Sequence, residues 1–454
     1  MYERMSPGRR SQLHRRIGER LETAYEPRTS EIAAELAVHF ERGREVSRAI
    51  RYLQQATETA LQRYAYHEAT FLLTRALDLL KTRPETPERA RQELPLQIAL
   101  GVALQATRGY TAPEVERVYV RAQELCQQQG ATAQLFPVLW GLWAFWRIRA
   151  QLHTAREFAE QMLRLVQRMQ DPLCLQAAYA TLGEIVSDLG EWNQAQTHVE
   201  QGMTLRDPPP DRSYAVLDPS IHCRTLAVRA LWFLGYPHQA VTKLHEVLAL
   251  AQEQPRSFSL AHVLSQAASV HQERREVQKC LECADAIIEV ARQQGFTYRE
   301  MGGMIQRGWA LARQGQTVEG IAYLRRGIMA LRSREAEAWQ TYYLAMLAEA
   351  YGLAGQPDEG LRELIEALAL VEATGECWYE AELYRLKGEL VLQSGVRSPQ
   401  SRGKKGSKFN VQNAKAKKPI PTPSLPTPKK LKRAFTKLLR SRVSSKQNRW
   451  SCGR

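Results

Sequence analysis

The feature that most constrains this chain is a fixed beat. A small residue is followed seven places on by a turn residue, and five places after that by a second small residue. The frame reads Gly183, Gly190, Ala195, then Gly308, Gly315, Gly320, then Ala348, Gly355, Gly360. Further copies run Val228, Gly235, Ala240 and Ala268, Arg275, Cys280, while Trp143, Ala150, Ala155 carries a bulky residue at the first site. With Gly388, the first sites stand at 143, 183, 228, 268, 308, 348 and 388, so every spacing is 40 residues except one of 45. The long interval holds Arg206–Asp211 (RDPPPD), a proline-stiffened insertion that accounts for the excess.

A period of this size, carried by segments with helical rather than alternating hydrophobicity from Ser30 to Gly395, means stacked helical hairpins. Two antiparallel helices approach closely only where one presents a side chain no larger than a methyl group, so the geometry needs Gly or Ala mid-helix and Ala at the facing site. The glycine between them supplies the left-handed turn that other residues resist. Each hairpin leaves an apolar face for the next to cover, so stability comes from stacking.

The spacing of small residue, turn glycine and alanine resembles the tetratricopeptide repeat, with helices longer than its usual unit. The fold class expected is all-α, a right-handed α-solenoid of about eight or nine antiparallel helix pairs. Residues 1–29 read as an N-terminal helical junction, 30–129 as irregular helical repeats, 130–396 as the regular solenoid and 397–454 as a basic tail.

Four strings carry a narrower likeness: Arg9–Leu21 (RRSQLHRRIGERL), Ile32–Phe40 (IAAELAVHF), Gln134–Trp143 (QLFPVLWGLW) and Tyr379–Leu390 (YEAELYRLKGEL). Together they resemble the helical C-terminal region of large bacterial "predicted ATPase" signalling proteins, over residues 1 to about 396. Those proteins join a P-loop ATPase to a tetratricopeptide-like sensor, often with an adenylate/guanylate cyclase or winged-helix domain. The architecture is also similar to the sensor superhelix of maltose-regulon activators. The likeness implies a sensor without its motor, because no Gly-Lys-Ser/Thr loop occurs; Gly403–Lys408 (GKKGSK) has the wrong order and follows no strand. Met1 is then expected to be an internal start near the junction that follows the ATPase module.

The net charge of +15 is unevenly placed. Residues 397–454 hold 18 Lys/Arg and no acid, leaving 45 basic against 48 acidic side chains in residues 1–396. The body is near neutral, so nucleic acid is expected to bind only through the tail. Three readings of the tail stand side by side. One is a basic arm with Lys429–Arg440 as a short amphipathic helix, and one is a plain solvated extension. The third is a shifted reading frame, since codons chosen for Lys429–Cys452 and read one base earlier permit an acidic second helix of the repeat.

No run approaches the 18 apolar residues of a membrane span, and the N-terminus lacks a secretory core. Seven dispersed cysteines read as reduced thiols of a cytoplasmic protein. Cys280 and Cys283 form a lone Cys-x-x-Cys without the second ligand pair that zinc needs, and Cys280 falls on a packing site of the repeat. His67-Glu68 and His245-Glu246 lack the following histidine of a zinc protease, and no nucleophile-elbow string is present. No catalytic residue, metal site or cofactor is expected.

Trp140, Trp143 and Trp146 are the most unusual local feature. At helical spacing they drift round the cylinder, so one face cannot bury all three. They read either as packing between repeats or as aromatic anchors for a partner in the concave groove. The function expected is a non-enzymatic scaffold that receives a protein segment or small effector in that groove, without a membrane and with no oligomeric state implied. The alternatives are a nucleic-acid-associated regulator acting through its tail, or the regulatory segment of a cyclase-type ATPase.

Overall fold

A computed structural model describes residues 5–169, 171–205, 217–253 and 256–396. The proline-rich insertion at Arg206–Asp211 and the basic tail lie outside the described residues. Among those described, the chain forms nineteen α-helices and one short 3-10 turn, Thr29–Ile32, and no strand. The fold is an all-α solenoid of tetratricopeptide-like antiparallel helix pairs.

The first half runs α1 (Pro7–Tyr25), α2 (Ala33–Arg42), α3 (Val46–Gln62), α4 (Tyr66–Lys81), α5 (Pro87–Arg108) and α6 (Pro113–Gln129). Regular pairs follow: α7 (Thr132–Ile148) with α8 (Leu152–Met169), and α9 (Pro172–Asp188) with α10 (Trp192–Met203). Then come α11 (Pro219–Phe233) with α12 (Pro237–Glu253), and α13 (Ser257–Glu273) with α14 (Val277–Gln294). The last are α15 (Thr297–Arg313) with α16 (Thr317–Arg332), α17 (Gln340–Leu353) with α18 (Pro357–Thr374), and α19 (Glu380–Val396).

The two helices of a pair differ in sequence because they meet different surroundings. Helix α8 buries Leu152, Ala155, Ala159, Met162 and Val166, one stripe at helical spacing, and turns its charged face to solvent. Helix α17 buries residues on every side, from Gln340 through Tyr351, because it is covered by its own partner, its neighbours and the interior of the coil. First helices thus line the inside and second helices form the outside.

The turns explain the small residues. A Cβ on Gly308 would stand 2.7 Å from the Gly320 carbonyl oxygen, and one on Gly320 would stand 2.5 Å from that of Gly308. Gly360 meets the Ala348 carbonyl at 2.7 Å in the same construction, whereas Gly183 meets the Val199 methyl at a looser 3.2 Å. At Gly388, on the last described helix, nothing lies within 4 Å. The turn between paired helices is left-handed at every beat, with φ of 55° at Ala150, 75° at Gly190, 89° at Gly235, 61° at Arg275, 91° at Gly315 and 70° at Gly355.

The coil also closes on itself. The last four carbonyls of a helix have no partner within it. Here Ile148 O, ending α7, accepts the backbone N–H groups of Glu337 (2.8 Å) and Ala338 (2.9 Å), in the loop before α17. Asp188 O, ending α9, accepts the N–H of Cys377 at 3.1 Å, in the loop before α19. Glu337 to Ile148 and Cys377 to Asp188 are both separations of 189 positions, so successive turns of the coil touch in register. The Thr111 hydroxyl donates to Arg334 O at 2.5 Å, and Arg149 pairs with Glu335 at 2.5 Å. Tyr66 meets Phe296, and Tyr110 meets Tyr298 edge-on at 5.8 Å.

Candidate functional site

Closure turns the expected open groove into an enclosed space. Six first helices, α7, α9, α11, α13, α15 and α17, face one another across it, and most of the space is filled by side chains. What remains is a narrow cleft with a cavity volume of about 70 Å³, open to solvent at its mouth. Its walls are aromatic, from Tyr110, Trp140, Trp143, Tyr298, Trp339 and Tyr343, with polar groups set among them.

One wall is backed by a buried ion network, of which Arg147, Glu184 and His222 line the cleft while Asp188 and Arg229 stand behind them. Asp188 Oδ2 lies 2.9 Å from Arg147 Nε, and Asp188 Oδ1 lies 3.2 Å from both terminal nitrogens of Arg229. Glu184 Oε2 accepts from His222 Nε2 at 2.6 Å. Arg147 Nη2 is 2.9 Å from Glu184 Oε1, but the angle is too poor for a hydrogen bond, so the two form an ion pair by proximity. Burial alone would raise the Glu184 carboxyl; Arg147 and His222 outweigh it and hold the group well below the usual carboxylate range. Arg229 carries its charge among aromatic faces, 4.4 Å from the centre of Trp378 and 4.7 Å from that of Trp339. Burial lowers its guanidinium, and Asp188 opposes that shift.

A second wall comes from the later repeats. Glu376 is buried and accepts the Trp339 backbone N–H at 2.8 Å and the Thr341 hydroxyl at 2.5 Å. Burial, with Asp188 nearby, pushes its carboxyl up to about 7. Trp339 has a φ of 65°, a left-handed conformation that is a true outlier for so bulky a residue. Its backbone is held by Glu376 while its indole lines the cleft.

The third wall carries Arg299 and His262. The Arg299 Nη2 group donates to His262 Nδ1 at 2.9 Å, and its guanidinium stacks 5.0 Å from the centre of Phe258. Burial, and then the neighbouring Arg299, hold the His262 imidazole well below its usual range, which keeps the acceptor nitrogen free of a proton. Gln306 Nε2 donates to Ser265 O at 2.9 Å and to Ser269 Oγ at 3.2 Å.

Several buried polar atoms on these walls have no partner among the described residues: Trp143 Nε1, Trp339 Nε1, Arg299 Nε and Gln306 Oε1. Orphaned groups of this kind cost roughly 1–3 kcal/mol each unless something else satisfies them. The walls can therefore bind a polar molecule, and among the described residues they bring together no hydrogen-bonded nucleophile and base. Among the described residues no group of three or more His, Cys, Asp or Glu side chains could hold a metal ion. Cys280 is buried, and burial pushes its thiol far up and that of Cys283 up to about 11, so both are poor nucleophiles. No helix among the described residues is long and apolar enough to cross a membrane.

Trp140 and Trp143 are each 3% exposed and both line the cleft. Trp146, the third of the tryptophan group, is not on its walls and packs edge-on against Phe145 at 5.2 Å. The residues missed from sequence are Arg147, Glu184, Asp188, His222, Arg229, His262, Arg299, Gln306, Trp339 and Glu376. The signal was available in two cases: Arg147 interrupts an otherwise apolar AFWRI (144–148), and Arg229 interrupts LAVRALWF (226–233).

No family model matches the chain. It is similar to an uncharacterized protein, R02095, from Rhizobium meliloti (strain 1021), with 24% identity over 368 residues. That match covers 80% of this chain, while the chain spans only 36% of the relative's length. Among solved structures, it is similar to a Rap protein complexed with competence and sporulation factor, at 10% identity and a TM-score of 0.49, covering 76% of this chain and 99% of that one. It is similar also to the Cut9–Hcn1 hetero-tetramer of APC/C, at 14% identity and a TM-score of 0.47, covering 81% and 60%. Yeast Tom70 aligns at 13% identity and a TM-score of 0.37, covering 86% and 95%.

Proposed function

We propose that this chain is a non-enzymatic sensing and interaction module, which receives an effector in its inner cleft and reports it through the closure of the coil. The observation that carries the reading is the cleft's construction. Its walls come from six successive first helices, and the same helices or the loops before them make the bonds between turns. Trp339 stands on the cleft while its loop neighbours Glu337 and Ala338 bond to Ile148 at the end of α7. A molecule that fills the cleft therefore touches both sides of the seam, and binding favours one pitch of the coil over another.

On this reading Trp140 and Trp143 are aromatic anchors for the effector, and Trp146 is packing. The chain resembles the sensor part of a bacterial signalling ATPase, works in the cytoplasm, and has its regular solenoid at 130–396. The Rhizobium relative has ample length beyond the matched part for an ATPase or cyclase module. Binding of nucleic acid through the basic tail is the alternative, and it makes no use of the cleft.

Equilibrium dialysis of the whole chain against a bacterial cell extract, with mass spectrometry of what is retained, tests the proposal. The expected result is enrichment of a small molecule or short peptide by the native chain and weaker enrichment by Gln306→Leu and Trp143→Phe. Enrichment of nothing, or equal enrichment by all three proteins, overturns it.

A further inference from the structure

The cleft has an unbalanced charge. Two cations of its ion network, Arg147 and Arg229, are matched by two anions, Glu184 and Asp188. Arg299 is extra: among the described residues no carboxylate oxygen comes within ion-pair distance of it, and its one hydrogen-bond partner is the ring nitrogen of His262. Among the described residues Glu184 is the only carboxylate lining the cleft, and its two oxygens are engaged by Arg147 and His222. Glu376 stands close enough to feel Asp188 but is neutral below about pH 7, so it does not restore the balance there. A guanidinium at a sheltered site without a counter-charge is costly, and it is worth more to a bound anion than it would be in water.

The neutral groups point the same way. Trp143 is 3% exposed, and among the described residues its indole N–H has no acceptor; Trp339 Nε1 and Arg299 Nε also lack one there. Three donors without acceptors, on one cleft, ask for an oxygen-rich ligand. Gln306 Oε1 is the exception, a buried acceptor without a donor. Its amide cannot simply turn round, because Nε2 already donates to Ser265 O, which accepts only. Among the guanidinium and carboxylate groups of the described residues the surplus is a single positive charge, which suits a monoanion better than a dianion. The aromatic walls suit an organic molecule better than a bare ion.

Building on the effector reading, we propose that the inner cleft binds a carboxylate at Arg299, with the free N–H groups of Trp143 and Trp339 as neutral donors on the same cleft, in a ligand that brings a donor to Gln306. A free small acid carrying a hydroxyl, or a peptide end carrying its last N–H, has this chemistry.

Glycolate is the smallest probe with both features, and glycolamide is its neutral counterpart. The thermal midpoint of the whole chain is followed against each at constant ionic strength, below the pH at which Glu376 ionises. Inorganic sulfate, a dianion throughout this pH range, forms a third arm. The expected result is a midpoint that climbs with millimolar glycolate by mass action, stays flat with glycolamide and rises less with sulfate. In Arg299→Gln the apparent affinity for glycolate falls by roughly tenfold or more, and Arg299→Lys recovers part of it. Trp143→Phe, which keeps a ring but removes the N–H, weakens glycolate less than Arg299→Gln does and serves if that variant fails to fold. Equal effects of glycolate and glycolamide overturn the carboxylate while leaving the effector cleft standing. Equal glycolate effects in native and Arg299→Gln protein overturn the assignment to this site. A flat response to glycolate also overturns the proposal, and the dialysis experiment then judges the cleft independently.

Discussion

The backbone N–H of Cys377 donates to the carbonyl of Asp188 at 3.1 Å, joining the loop before α19 to the end of α9. The same aspartate, through its side chain, holds Arg147 and Arg229. One residue therefore ties together the seam between turns and the ion network inside them.

That double role gives a stability prediction. Asp188→Asn leaves two buried guanidinium groups with Glu184 as their sole anion, and loss of one partner from a buried network costs about 3–5 kcal/mol. Replacing Arg229 by Met in the same chain should restore part of the loss, because the uncompensated charge goes with it. Chemical denaturation of the native chain, both single variants and the double variant measures the coupling. Additive effects would mean that the two residues do not interact.

The close crossings separate the glycines of the repeat. Gly308→Leu must drive a side chain into the Gly320 backbone and should destabilise by about 1–3 kcal/mol or more. Gly388→Ala fills open space on a helix and should be neutral or stabilising by up to about 1 kcal/mol. Thermal melts of the two variants should move in opposite directions, or only the first should move.

The turns make a second contrast. Ala150 occupies the left-handed position that glycine holds at four other beats. Ala150→Gly should stabilise the chain by about 1 kcal/mol, and Gly315→Ala should destabilise it by about the same amount. Equilibrium unfolding resolves both; equal and opposite signs are the expected pattern.

Glu376 gives the chain a pH dependence. Its carboxyl is raised from an ordinary value of 4.5 to about 7, so between these limits the folded protein binds the extra proton. The stability linked to it is fully present below the unfolded value and is lost as the pH rises through about 7, by up to about 3 kcal/mol. Glu376→Gln mimics the protonated form, with an oxygen for the Trp339 N–H and an amide for the Thr341 hydroxyl. The variant should lose less stability than the native chain between pH 4.5 and 7. Unfolding free energies measured across that range check the slope; identical slopes would exonerate Glu376.

Much of the fold was legible because the repeat writes its geometry into residue size. Gly308, Gly320, Gly355 and Gly360 each occupy a place where only a small side chain or a positive φ fits, and their spacing gives the pairs directly. The seam was not legible. Its bonds are backbone to backbone, from Glu337, Ala338 and Cys377, and a backbone N–H leaves no mark on residue choice. The cleft was half legible. The tryptophans stood out by rarity, but their division into Trp140 and Trp143 inside and Trp146 outside depends on how the coil bends. Arg299 and Glu184, 115 positions apart, look like ordinary charged residues on amphipathic helices until closure brings them to one space.

The coil's self-closure is the premise on which cleft, network and sensing all rest, and amide hydrogen exchange reads it residue by residue. Glu337, Ala338 and Cys377 sit in loops, where an amide without a partner exchanges at the rate of an open chain. The account predicts protection at these three positions close to that of the helices they touch. Exchange there as fast as at an unpaired loop amide, with α7 and α9 still protected, would contradict it.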